Sequence, residues 1–178
     1  MTAVVTGALR GRRGWAATGG AAAVALALAG MWLFDGEQAG PPDPRARQYT
    51  EVDACLLTGE KGILPGTPAA PVWKGMQEAS LRTRARVNYV PVTGPQSVDN
   101  VRPFFNSLVQ RRCEVVLAVG DAQVRVTRSD AGKHPEVRFV LVGDEVSGGG
   151  NVVVVKPDAQ LAESVADAVR RAVREVEK

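Results

Sequence analysis

Two hydrophobic patterns divide the chain. The first is an uncharged run at residues 14–34, with Trp15 and Trp32 near its ends and Arg10, Arg12 and Arg13 just before it. A helix needs ~20 apolar residues to cross the hydrocarbon of a bilayer, and indole rings prefer the headgroup layer at either end. Arginines favour the cytoplasmic flank, so the run predicts a single-pass signal anchor with residues 1–13 inside and the chain after Asp35 outside. A cleavable signal peptide is the alternative, because the run is rich in Ala and Gly. The run is longer than the ~7–15 residue core of such a peptide, which favours the anchor. The residues around Arg12-Arg13 do not support a twin-arginine signal, and no small-residue motif ends in a Cys just after the run to carry a lipid. Residues 35–50 hold Pro41, Pro42 and Pro44 among alternating charges, which predicts a semi-stiff spacer.

The second pattern begins near Val52, where short β-branched runs alternate with longer segments of helical period. This is the signature of βαβ units and a parallel sheet. Strands are predicted at 54–58, 86–92, 114–119, 137–142 and 151–155, and helices at 71–83, 99–112, 122–131 and 158–177. Four of the five strands are near-continuous apolar runs, as expected when helices cover both faces of the sheet. Ser97 or Asp99 is placed to cap the second helix, with Pro103 in or near its first turn, where the missing N–H matters least. In the last helix Leu161, Val165, Ala168, Val169, Ala172, Val173 and Val176 form one stripe that should pack on the sheet. The predicted fold class is α/β, a Rossmann-like (flavodoxin-like) five-stranded parallel sheet in one extracytoplasmic lobe over residues 51–178, after a transmembrane helix.

Composition narrows the function classes. The 178 residues are 45% hydrophobic and 23% charged, values of a chain that folds, with room for one globular domain. The net charge of +3 comes from dispersed arginines not interleaved with aromatics, so no nucleic-acid partner is expected. His134 is the only histidine, in a polar loop, and no Cys-x-x-Cys pair exists to complete a zinc site. Nucleophile elbows, phosphate loops and dinucleotide fingerprints are missing from the sequence. Neither an enzyme nor a cofactor or metal is expected. The glycines of SGGGN precede a strand, whereas a phosphate loop follows one, so they read as a turn.

Open parallel sheets bind ligands at the carboxyl ends of their strands. Those ends carry Thr58, Gly59, Glu60 and Lys61 after the first strand and Thr93 after the second. Gly120 and Asp121 follow the third, and Gly143 and Asp144 the fourth. These nine are the candidate ligand-binding residues. Each also has a plainer reading, the glycines as tight turns and Asp121 as a helix cap.

The stretches APVWKGMQEAS, SVDNVRPFFNSLVQRRCEVVLAVGD and HPEVRFVLVGDEVSGGGNVVVVKPD resemble the N-terminal lobe of the BMP family of extracytoplasmic binding lipoproteins. These are the substrate-binding components of nucleoside-type ABC transporters, of the type I periplasmic-binding-protein class. The similarity spans about residues 54–168. It implies strand order 2-1-3-4-5, a transport role, a small polar solute such as a nucleoside, and an ABC transporter permease or a second copy as partner. Family members close a second lobe over the ligand, whereas this chain ends one helix after its fifth strand. The loop that holds the nucleoside in the family is GEKGILPGTPAAPVW here, with Pro71 and Val72 where Ser-Phe-Asn would fall. The lobe alone is therefore expected to bind nucleosides weakly or not at all. The alternative is a protein-interaction or sensor module on the same lobe with no small-molecule ligand.

Cys55 and Cys113 are the only cysteines. They precede or begin neighbouring strands in the implied order, and a disulfide persists outside the cytoplasm. Aligning Gly59 with Gly120 at the strand ends opposes the bond, because it sets Cys113 two or three residues below Cys55, where ~3.3 Å per residue exceeds the ~7 Å limit of a bridge. Two buried thiols are the other reading.

Overall fold

A computed structural model describes residues 48–144 and 149–178. The expected cytoplasmic segment, the anchor and the linker up to residue 47 lie outside the described residues, as does part of the SGGGN turn. Among the described residues no helix is long and apolar enough to cross a membrane.

The elements run β1 (Asp53–Thr58), α1 (Ala69–Thr83), β2 (Arg86–Pro91), α2 (Val98–Gln110), β3 (Val115–Val119), α3 (Asp121–Asp130), β4 (Arg138–Val142), β5 (Val152–Val155) and α4 (Leu161–Val176). Every predicted strand and helix is present, with no end moved by more than three residues. The strands pair in parallel in the order β2-β1-β3-β4-β5. Alternation along the central strands makes two cores. Ala54 and Leu56 of β1 point to one face, where α1 and α4 pack with Val72, Met76, Val165 and Val169. Cys55 and Leu57 point to the other, against Val101, Phe105 and Leu108 of α2 and Val126 of α3. Among the described residues the core residues and strand pairings fall within residues 52–173, and the lobe is a compact unit with both cores inside it. The predicted α4 stripe is buried, apart from the partly covered Val176.

Local chemistry sets the helix ends. Ser97 is the N-cap of α2, its side chain accepting from Asn100 N at 3.3 Å. Because α2 starts at Val98, Pro103 falls in the second turn instead of the first, and Asp99 loses its usual i+4 amide partner. Asp121 does not cap α3; Gly120 holds that position with φ 110°, and Asp121 is the first helical residue. At the far end of α3 the buried Asp130 binds Arg102 of α2 and Lys133. The hydrogen bond from Lys133 holds its carboxyl below the usual value, against the opposing effect of burial and with help from Arg102.

The α2–β3 junction corrects the register argument against the disulfide. After α2, Cys113 N donates to Leu108 O at 3.1 Å and Arg112 N to Val109 O at 2.9 Å, with Arg112 left-handed at φ 60°. This is a Schellman closure, which ends a helix by folding the chain back on itself. Cys113 consequently lies on the α2 side of the sheet and has not yet entered the strand. In register Cys55 faces Val116, yet Cys113 comes within a Cα separation of 5.9 Å and bonds to Cys55. Counting residues along an extended strand overestimates that distance because these residues are not extended.

Candidate functional site

Between β1 and β3 the strand order reverses, because the chain leaves β1 outward to β2 and returns on the other side. The connections after these two strands diverge onto opposite faces, and the gap between them is the usual ligand crevice of an open α/β sheet. A cleft of about 320 Å³ occupies it. Thr58, Gly59, Glu60 and Lys61 form one wall, Thr67, Pro68 and Ala69 the entry to α1, and Gln96, Val119 and Gly120 the remainder. A second cleft of about 490 Å³ lies beside it over the ends of β3 and β4, lined by Asp121, Arg125, Arg128, Gly143, Asp144 and Pro157 among others. The two share Pro68, Val119 and Gly120. Eight of the nine predicted residues therefore line one continuous edge. Thr93 does not; it is exposed outside both clefts, with its carbonyl accepting from Asn100 Nδ2 at 2.8 Å.

Side-chain amides fix the floor between the walls. Gln123 is buried and donates through Nε2 to Gln96 Oε1 at 2.8 Å. Gln96 in turn donates through Nε2 to Val92 O at 3.0 Å and Gly94 O at 2.9 Å. This chain of bonds ties the loop after β2 to the first turn of α3, and so holds the wall before any ligand arrives. Thr67 Oγ1 reaches Leu64 O at 2.8 Å and Gly62 O at 3.1 Å, closing the β1–α1 loop on itself. With these groups engaged, the wall offers a ligand apolar surface from Pro68, Ala69 and Val119. Charge is confined to the rim, at Glu60 and Lys61.

The sequence reading missed Gln96, Gln123 and Thr67. A Gln at the third position of a helix or in a loop is ordinary by composition. Only folding brings residues 27 apart into one hydrogen bond. The α1 helix begins at the cleft with no side-chain cap and no acid in its first turn. Among the described residues no group of three metal-ligating side chains comes together. His134 stands at the opposite edge of the sheet, with its ring near Phe105 and Nδ1 3.7 Å from Glu136.

The sequence matches no protein-family model and no curated protein. Among solved structures, a fragment described as a lipoprotein from Peptoclostridium difficile 630 is 12% identical with a TM-score of 0.54, over 72% of this chain and 100% of that fragment. A pilus assembly-related protein from Burkholderia pseudomallei K96243 is 16% identical at a TM-score of 0.46, over 72% of this chain and 95% of that one. A transcriptional activator of the comK gene from Bacillus halodurans is 17% identical at 0.45, over 57% of this chain and 33% of that one. The first of these likenesses extends over a share of the chain as large as the described lobe, and what it shows is the α/β fold.

Proposed function

We propose that this chain is a membrane-anchored extracytoplasmic binding lobe of the type I periplasmic-binding-protein kind, resembling the substrate-binding component of a BMP-family ABC transporter. Its strand-end cleft takes a small polar solute between this lobe and a second protein surface. The observation that carries the reading is the position of the cleft, at the switch point between β1 and β3, with its walls already hydrogen-bonded. The disulfide supports an extracytoplasmic site of folding, since such bonds persist where thiols are not kept reduced. A second reading, a protein-docking or sensor module without a solute, is favoured by one feature: the wall is mostly apolar and open on the side where a second lobe would sit.

A thermal-shift titration of the full chain in detergent, against nucleosides and other polar solutes, separates the two. A solute that binds only the folded state raises the midpoint. The solute reading expects a small rise at millimolar concentrations, lost in Gly59→Trp, whose indole would fill the cleft. No rise with any solute, together with co-purification of a membrane protein that Gly59→Trp fails to retain, would favour the docking module.

A further inference from the structure

The four helices run antiparallel to the strands, so every helix C-terminus meets the same edge of the sheet as the N-terminus of every strand. That edge carries Arg82 and Arg84 at the end of α1, Arg111 and Arg112 after α2, and Arg174 and Lys178 at the end of α4. All six are exposed, and among the described residues none is in an ion pair. Three acids of the same edge are neutralised, Asp53 by the two-pronged Arg86, Glu175 by Arg138 and Asp130 by Arg102 and Lys133. The exposed Glu51, Glu136 and Glu177 and the half-buried Glu114, which accepts from Asp53 N, are the other acids there and do not balance the six cations. The cleft edge is the reverse, with acids at Glu60, Asp99, Asp121, Asp144, Asp158 and Glu163 against Lys61, Arg125, Arg128 and Lys156.

Cations in a last helical turn are ordinary partners of the helix dipole. Two of these six go further. Arg84 and Arg112 are the only non-glycine residues of the described chain with positive φ, at 62° and 60°. That conformation is one where glycine avoids a steric cost that arginine bears. The chain also enters the lobe at this edge, where Thr50 N donates to Arg84 O at 2.9 Å.

We propose that this basic edge rests on an anionic lipid surface, phosphatidylglycerol-like in charge, and so turns the strand-end cleft away from the membrane and toward solvent. The proposal rests on reading residues 14–34 as a retained anchor, and is independent of whether the cleft takes a solute. A Pro-rich spacer alone sets a distance and no orientation. Charge complementarity supplies the orientation, each cation close to an anionic surface strengthening binding roughly fivefold.

The test is flotation of the lobe from residue 48 onward, which holds both of its cores, with vesicles of phosphatidylcholine alone or mixed with phosphatidylglycerol. The lobe is expected to float only with the anionic vesicles, and to be released as salt screens the contact. Arg84→Gly combined with Arg112→Gly should fold at least as stably, since glycine fits both positions, yet bind roughly thirtyfold more weakly. Lys61→Gln with Arg125→Gln, at the cleft edge, should change binding less than twofold. Equal flotation with neutral vesicles, no flotation with anionic ones at low salt, or an equal loss in the two variants would overturn the proposal. So would a preference for a soluble polyanion such as polyphosphate over the vesicles.

Discussion

At the scale of single residues, Gly120 shows how much one position decides. Its φ of 110° and ψ of 148° start α3 at the centre of the strand-end edge, in a region closed to most side chains. A Cβ there would also press on the Gln123 amide that braces the cleft wall through Gln96. Gly120→Ala is therefore expected to lower stability by about 1–3 kcal/mol. Urea unfolding of variant and parent measures this, and an unchanged midpoint would show that the α3 start relaxes freely. The sequence marked Gly120 as a strand-end residue, because a glycine after an apolar run is a visible signal. It did not mark Gln123 or Gln96. Their importance lies in the burial of Gln123 and in the bond between the two, and neither property is written in residue type or local spacing.

At the scale of elements, α1 and α4 approach each other closely at Gly75. A Cβ on Gly75 of α1 would overlap the carbonyl oxygen of Ala162 and press on Val165 in α4. Helix propensity alone predicts that Gly75→Ala gains about 1 kcal/mol, since glycine is a poor helix former. Backbone contact predicts the opposite sign, a loss of about 1–3 kcal/mol from overpacking, because a backbone oxygen has no rotamer through which to retreat. Thermal or urea unfolding of the variant decides between the two, and a gain would mean that α4 shifts without cost. Both helices were legible in the sequence from their 3.6-residue stripes. That they lie on one face and meet at Gly75 was not, because periodicity tells a helix which side to bury and leaves open which helix shares that side.

For the whole molecule the disulfide is the main cross-link, joining β1 to the α2–β3 junction across a separation of 58 residues. In the chain-entropy account, closing a loop of that length in the unfolded chain is worth about 4 kcal/mol, a large part of the stability of a domain this size. Replacing Cys55 and Cys113 together by Ala should lower the unfolding free energy by about that amount, with a further contribution from the lost buried sulfur atoms. Comparing denaturant curves with and without reductant separates the two contributions, and identical curves for oxidised and reduced parent would refute the role given to the bond. The sequence determined the strands, the helices and the order of their alternation, because a short continuous apolar run and a 3.6-residue apolar stripe are local properties that burial on two faces or on one must impose. It also placed eight candidate residues at the strand ends, since parallel strands with intervening helices align their carboxyl ends at one edge. The tertiary structure alone decided that Thr93 stands apart, that two glutamines brace the cleft, and that Cys113 reaches Cys55. Each of these depends on how a loop leaves its element: the left-handed turn at Arg112 brings the sulfur atoms together, and residue counts along a strand carry no trace of that turn.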